Sequence, residues 1–491
     1  MNTFYVYLSV LIYVLIGFYI AYKARQGMKQ GVIEYFLDNR STTGMVSALS
    51  YSATTYSAFM MIGLAGFTYS GGVGALGFEL IYLAGLSLVA FFGPRFWLVG
   101  KKYGYVSPYE MLGDRFQNKW IAIISAGAAC IFLIPYLSVQ LMGIGYLLEG
   151  LSGGGIPFLV GVFIAAILAI SWAIIAGMRS VTWTDSLQSL IMIVVSILIL
   201  FYLVYTQLGG FLSFFNQLER EYANFLSVPG PGFFNFQTFL GLTLPWFFFS
   251  ISNPQVSQRL FIPKSLKAMK TMIRGFLIFG LIYTLVSVLW GFGAKILLPG
   301  LEQADLATPT LLGSEHVPVI LGLIAMIGIT AAAISTVDSI MLTLSSLIVR
   351  DLMQSRDEYS DKKQLRIGKI VIFIIAVIGI IFAAQQLDLI ATLSVASSVG
   401  LMVVVPTIFG AFFWKKATAA GSLSSIILGA IVALYMQFAG LSPLGVHPGV
   451  WTFIITVVTF ILVSIFTEAP HQKAEEFIGY LDRELEDKNI L

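Results

Sequence analysis

Ala332, Ser335, Thr336 and Ser339 fall at i, i+3, i+4 and i+7 within Gly328-Ile-Thr-Ala-Ala-Ala-Ile-Ser-Thr-Val-Asp-Ser-Ile340, so a helix here carries them on one face. That face offers hydroxyl oxygens beside small residues that let another backbone come close. Neutral oxygens suit a weakly held monovalent cation, whereas a calcium or magnesium site would draw on several carboxylates. A second run, Ser50-Tyr51-Ser52-Ala53-Thr54-Thr55-Tyr56-Ser57-Ala58, lies in the middle of an apolar stretch from Met45 to Tyr69 and holds no leucine or isoleucine. An unpaired backbone carbonyl or hydroxyl in hydrocarbon costs several kcal/mol, so such a run is expected to line a protected cavity. There an opened turn presents oxygens to a hard cation and hydrogen bonds to a solute. Close packing of helices uses the same small residues, and each run alone leaves both readings open.

Acidic residues deep in apolar spans are costly and usually functional. Three qualify: Asp185, which follows Arg179-Ser-Val-Thr-Trp-Thr184 about one turn into its span from the cytoplasmic side; Asp338, just after the hydroxyl face; and Glu79 in Gly77-Phe-Glu-Leu-Ile. Asp185 and Asp338 lie at comparable depth and together suit one cation, with an Arg179–Asp185 pair as the structural alternative. Glu79 is nearer the outside, as a hydrogen-bonding group for a solute or as an acid satisfied by neighbouring hydroxyls or water. A further interrupted stretch is Thr243-Leu-Pro-Trp-Phe-Phe-Phe-Ser-Ile-Ser-Asn-Pro-Gln-Val-Ser-Gln-Arg259. Pro254 removes a backbone donor and breaks the helix before it; a simple proline kink is the alternative.

The elements that position these residues follow from composition. The chain of 491 residues is 58% hydrophobic and only 11% charged, with a mean hydropathy of +0.88. Soluble domains carry about 25% charged residues, so an all-α polytopic membrane protein is expected. About thirteen spans are read, near 3–22, 44–70, 74–100, 120–149, 157–177, 181–206, 236–258, 275–298, 317–348, 368–385, 391–414, 417–440 and 450–467. The 28 Lys and Arg residues orient them. With the amino terminus outside, the cytoplasmic loops collect Lys23, Arg25, Lys29, Arg40, Lys101, Lys102, Arg115, Lys119, Arg259, Lys264, Lys267, Lys270, Arg274, Arg350, Arg356, Lys362, Lys363, Arg366, Lys369, Lys415 and Lys416. The external loops hold Arg220 and Lys295. The net charge of +3 reflects this topology, not nucleic-acid binding. The first apolar run lacks a basic leader and is read as a retained span. The loops 207–235 and 299–316 are each long enough for a short surface helix. The tail from Lys473 to Leu491 is charged and faintly amphipathic, and is expected on the cytoplasmic surface. Cys130 is read as a packing residue, and the distant His316, His447 and His471 suggest no metal site.

Spans two to six and seven to eleven form two five-helix units, 44–206 and 236–414, and an odd number inverts the second. The span 3–22 precedes them, two further spans occupy 417–467, and 471–491 is the cytoplasmic tail. Each unit opens on one of the interrupted stretches, and paired interrupted helices point to a transporter's midplane site.

Four pieces carry a resemblance to a known family: Ala48-Leu-Ser…Ser57…Gly63-Leu-Ala-Gly66, Ser-Val-Thr-Trp-Thr-Asp185, Asn253…Gln258-Arg259, and Ala332-Ala-Ile-Ser-Thr-Val-Asp-Ser339. The chain resembles the sodium/solute symporter family, which includes bacterial sodium/proline, sodium/galactose and sodium/sialic-acid carriers. The resemblance implies a LeuT-type fold of two inverted five-helix repeats plus three helices. It places a first sodium on the carbonyls of Ala53, Tyr56 and Ala332 and the hydroxyls of Ser335 and Thr336. A second sodium, bound by some members, would use Asp185, Ser335, Asp338 and Ser339, with Thr182 beside them. Asp338 stands where some relatives have serine. The sugar carriers use a glutamate matching Glu79 and an asparagine matching Asn253, but no matching intramembrane lysine is present here. The proline carrier's aspartate is replaced by Thr55.

The resulting expectation is uptake of a small organic solute by alternating access, coupled to one or two sodium ions in a cell membrane. The solute, an amino acid, monocarboxylate or sugar-like molecule, would bind beside Thr54, Thr55 and Ser57, against Trp246, Phe247, Ser250 and Asn253, with Tyr136 and Gln140 as further contacts. A monovalent cation gains roughly 2.3 kcal/mol per 100 mV, and a tenfold gradient adds about 1.4 kcal/mol. One ion therefore supports accumulation by several hundredfold. Proton coupling through Asp185 or Asp338 is the alternative within transport, and a solute-sensing receptor the alternative outside it. No nucleophile–base pair or metal cluster suggests an enzyme, and no nucleic acid or obligate protein partner is called for.

Overall fold

A helix crossing a bilayer satisfies its own backbone, so the places where this chain stops being helical inside the apolar core locate its function. The computed structural model describes residues 2–26, 31–57, 59–354, 359–387 and 390–488; Ala176 and Ala391 are described by their backbone only. Ala58, Lys29, Arg356 and Leu491, named above, lie outside the described residues. Among the described residues there is no strand, and eleven helices are long and apolar enough to cross a membrane. Their outward faces carry exposed Leu15, Ile167, Ile278 and Phe373, while buried serines, threonines and glutamines sit among the apolar side chains of the interior. Apolar outer faces with polar groups kept inside are what a hydrocarbon solvent selects.

Two stretches are broken into pieces too short to count among those eleven, and they are the two that the sequence marks as interrupted. In the first, helix Gly44–Thr55 stops at Tyr56, whose backbone leaves the helical region at φ −104° and ψ 70°. A wide-turn helix, Phe59–Leu64, and a regular one, Ala65–Gly71, follow. In the second, helix Phe236–Phe247 gives way to Phe249–Ser252, then to an extended Asn253, then to Pro254–Ser257 and Gln258–Phe261. Pro254 has no N–H to lose, and the Asn253 side chain caps the restarted turn by accepting from the Gln255 amide at 3.1 Å. Pro245 sits inside its helix without ending it.

The unbroken partner of both stretches is helix Val319–Leu347, which carries the hydroxyl face. It packs closely on Phe158–Tyr202, a helical run turned sharply at Gly177 (φ 54°, ψ −144°). A Cβ at Gly177 would stand 2.4 Å from the Tyr35 carbonyl oxygen, so this corner between two spans admits glycine alone. The two broken stretches meet at their basic ends, where Thr42 pairs with Pro263 and accepts from the Lys264 amide at 3.0 Å.

The loop 207–235 contains the expected helix, Phe211–Leu226. In 299–316 the helix Ala307–Gly313 is buried rather than on the surface, with Pro309 against Gly150. The tail also differs from a solvated end. Helix His471–Asp487 buries Ala474, Phe477, Ile478, Leu481 and Leu485. Phe477 stacks on Tyr103 and packs against Phe412, each at 6.0 Å between ring centroids. Lys473 pairs with Asp114 at 2.8 Å. The Tyr103 hydroxyl donates to Glu476 at 2.8 Å and, with Lys473 and Lys102, holds that exposed carboxyl below its ordinary range.

Close approach positions the second broken stretch. A Cβ on Gly85 would lie 2.0 Å from the Phe247 carbonyl oxygen, whereas one on Gly127 would meet nothing within 4 Å. Gly85→Ala is therefore expected to destabilise the purified protein by about 1–3 kcal/mol, while Gly127→Ala leaves it unchanged or slightly firmer. Equal melting curves for the two variants would refute this account of the contact.

Candidate functional site

The break after Thr55 faces the hydroxyls of helix Val319–Leu347. Ser335 Oγ lies 3.3 Å from the Ala53 carbonyl oxygen and 2.8 Å from that of Ala332. Thr336 Oγ1 lies 3.5 Å from Ala53 O, 3.4 Å from Thr54 O and 3.2 Å from Ala332 O. Five oxygens thus converge, all on buried residues. Cation–oxygen distances of 2.3–2.6 Å, as for calcium, set neighbouring ligand oxygens about 3.3–3.7 Å apart around one ion. Sodium is close to calcium in size, and the separations across the two helices fall at this spacing. The ligands are neutral, which suits a single charge.

One helical turn toward the basic end lies a charged cluster. Asp185 Oδ2 accepts from Ser50 Oγ at 2.7 Å and pairs with the Arg259 guanidinium at 3.1 Å. Arg259 also donates to Ser50 Oγ and to Ser339 Oγ. Asp338 is fully buried; its Oδ1 lies 3.5 Å from Ser339 Oγ, and its Oδ2 is without a hydrogen-bond partner. Thr182 lines a small cavity here with Thr42, Ser47, Ser50 and Arg259, and its hydroxyl donates to the Arg179 carbonyl at 3.1 Å. Ser339 joins the two layers, standing 3.4 Å from Thr54 Oγ1 and donating to Ser335 O at 2.6 Å.

On the other side of the break stands an aromatic cluster centred on Trp246. Its ring centroid is 5.0 Å from Phe59, 5.1 Å from Tyr82, 4.8 Å from Phe249 and 6.4 Å from Tyr136. Polar atoms of the residues expected to meet a solute are buried without hydrogen-bond partners: both Glu79 oxygens, Trp246 Nε1, Gln140 Oε1 and Asn253 Nδ2. Unpartnered groups of this kind are costly unless something with complementary hydrogen bonds enters. The rings are tilted against Trp246 by 38° to 76°, so the platform is an interlocked aromatic cluster with a few polar groups nearby, the usual make-up of a small-molecule site.

A family model described as the sodium:solute symporter family matches residues 35–429. The chain belongs to that family. It is 26% identical to a sodium/pantothenate symporter of Haemophilus influenzae over 90% of this chain and 92% of the relative. It is likewise 26% identical to a high-affinity proline transporter of Bacillus subtilis, over 95% and 99%. A solved sodium-coupled sialic acid symporter, in a substrate-bound outward-open state, superposes with a TM-score of 0.77 at 18% identity, covering 95% of this chain and 98% of that one. MhsT in complex with L-phenylalanine superposes at 0.54 with 14% identity, covering 92% and 100%. The fold is of the LeuT type, and the protein is a multi-pass membrane transporter, not an enzyme. It is a sodium-coupled solute symporter.

The symporter's geometry sorts the residues singled out in the sequence. Ala53, Ala332, Ser335 and Thr336 come together, and the Thr54 carbonyl joins them, which the sequence reading did not include. Tyr56 supplies the turn itself, its ring stacked on Phe279 at 5.7 Å. Asp185 pairs with Arg259 rather than Arg179, which lies over the Trp183 ring. Thr55 is engaged on both sides: its hydroxyl donates to Tyr51 O at 2.6 Å and its carbonyl accepts from Tyr82 at 3.3 Å. Ser57 Oγ accepts from the Phe59 amide at 3.3 Å, fixing the exit of the break. Ser250 donates to Gly85 O at 3.2 Å. Phe247 departs from expectation. It is only half-buried, its ring packs on Phe248 at 5.1 Å, and Phe249 takes the place beside Trp246. Residues three apart on a helix share a face and adjacent ones do not, which is why the neighbour of Trp246 in sequence is not its neighbour in the cluster.

Removing both hydroxyls tests the cage. Ser335→Ala with Thr336→Ala is expected to raise the sodium concentration for half-maximal uptake by tenfold or more, since each bond to a charged group contributes about 1.5–3 kcal/mol. Unchanged sodium dependence in a folded double variant would move the ion elsewhere.

Proposed function

We propose that this symporter drives a small organic solute, of the amino acid, monocarboxylate or sugar-like class, into the cell by alternating access. Sodium would bind between the first broken stretch and helix Val319–Leu347, and the solute beside it on the Trp246 platform. The observation carrying this reading is the convergence of Ala53, Thr54, Ala332, Ser335 and Thr336 oxygens at cation spacing next to a cluster of unpartnered polar atoms. In this reading the ion fixes the break from Ala53 to Ser57, and that break in turn holds Phe59 against Trp246. The two ligands then bind with positive coupling, which must be reciprocal. Glu79, Asn253, Gln140 and Tyr136 would recognise the solute's hydrogen-bonding groups, with Thr54, Thr55 and Ser57 shaping the floor. The repeats 44–206 and 236–414 would rock about this site. The Lys and Arg bias supports an amino terminus outside and a carboxyl terminus in the cytoplasm, and the host would be a cell membrane.

The test is uptake into proteoliposomes, after a thermal-shift screen with and without sodium has found the solute. Saturable, concentrative uptake driven by an inward sodium gradient is expected. Robust uptake in sodium-free medium under an imposed pH gradient would replace sodium by the proton, and binding without transport would make the chain a receptor. Within the site, Trp246→Ala should raise KM for the solute at least tenfold, while Phe247→Ala leaves KM within about twofold. Equal effects of the two would dismiss the platform.

A further inference from the structure

We propose that Arg259 is the resident cation of the charged layer, so that the symporter moves one sodium ion per solute. This rests on the sodium coupling and the cage described above, and adds the stoichiometry. The guanidinium lies among three oxygens, Asp185 Oδ2, Ser50 Oγ and Ser339 Oγ, and makes contact with each. Asp185 and Ser339 belong to the set expected for a second sodium. Both residues of the ion pair are buried, Arg259 at 3% exposure and Asp185 at 0%. A sodium ion placed on the same oxygens would stand against an arginine that stays charged at all ordinary pH.

The arginine is held from behind. Gln258, its neighbour, donates to Val106 O at 2.9 Å and to Ser346 Oγ at 3.1 Å, and accepts from Thr343 Oγ1 at 2.9 Å. Asn253 and Pro254 restart the chain just before it. Arg259 is therefore delivered to Asp185 by the end of the second broken stretch, and its position belongs to that stretch's fold.

The cage lies a single helical turn from this layer, along both Ser50–Ala53 and Ser335–Ser339. A sodium ion added to the layer would place a second positive charge on the carboxylate that Arg259 already neutralises, in a buried, low-dielectric site, which is strongly disfavoured. In this arrangement Arg259 does permanently what a second ion would do only when bound.

The experiment uses full-length protein in proteoliposomes and the solute found by the screen. At zero membrane potential and a tenfold sodium gradient, one ion per neutral solute gives about tenfold accumulation and two ions give about a hundredfold. The wild type is expected at about tenfold, with non-sigmoidal sodium activation. Arg259→Gln frees the Asp185, Ser50 and Ser339 oxygens, and should turn activation sigmoidal and move accumulation toward a hundredfold. Adding Asp185→Asn to Arg259→Gln should return both to the wild-type values. A hundredfold accumulation by the wild type overturns the proposal, as does an active Arg259→Gln variant that still moves one ion. Should Arg259→Gln fail to fold, the wild-type accumulation ratio decides by itself, and Arg259→Lys should keep it at tenfold. Uptake with no sodium dependence at all would instead remove the coupling reading on which this one rests.

Discussion

Inside a bilayer every backbone carbonyl must find a donor or a cation, and this constraint governs the site. Stopping the helix at Thr55 leaves carbonyls that water cannot reach. Ser335 and Thr336 supply donors from an unbroken neighbour, so the break is satisfied without a second break opposite it. Each of these hydroxyls can turn to a carbonyl across the interface, Ala53 for Ser335 and Ala53 or Thr54 for Thr336, or to Ala332 in its own helix. Turning the proton toward Ala332 exposes an oxygen lone pair to the interface, and leaves the carbonyls of the break to a cation. A cation can therefore replace the interhelical hydrogen bonds at little internal expense, and the same atoms serve both arrangements.

The two helices are joined by two rungs. In one, Ala53 and Thr54 face Ser335 and Thr336 through neutral oxygens; in the other, Ser50 faces Ser339 through the arginine. Ser339 touches both, reaching Thr54 on one side and donating to Ser335 O on the other. In the proposed cycle the neutral rung is reversible, because its strength would depend on an ion that comes and goes. The charged rung is built from the end of the second broken stretch. In the proposed cycle, movement of that stretch and occupation of the cage would be linked through one serine, a physical route for coupling.

The features legible in the sequence were those written in local patterns. Hydroxyls at i, i+3, i+4 and i+7 can occupy only one helical face, and a run without leucine or isoleucine in an apolar span cannot be an ordinary lipid-facing helix. Pro254 announced its break through its missing N–H. What stayed hidden was set by tertiary approach. Asp185 meets Arg259 and not the nearby Arg179, because the turn at Gly177 and the broken stretch bring distant chain segments together. The Thr54 carbonyl has no side-chain signal at all. Phe249 was masked by a run of three phenylalanines in which only helical phase distinguishes inside from outside. The amphipathic tail was visible, yet its docking depends on Tyr103 and Phe412, which lie far from it in sequence.

The aromatic platform completes the logic of the fold. Phe59 comes from just beyond the first break and Trp246 from just before the second, so their contact exists only when both breaks are set in the right geometry. Tyr82 ties the platform back to the Thr55 carbonyl, one peptide from the cage. A solute lying on these rings would feel the position of the ion through covalent neighbours, with no long relay required. In the proposed reading, the polar atoms around the rings, Glu79 foremost, are left for the solute to satisfy, whereas the oxygens of the cage satisfy one another when they must. Ion and solute sites would then differ in kind: one self-sufficient and forgiving, the other incomplete until filled. That asymmetry would let an abundant ion prepare a site whose own incompleteness selects the cargo.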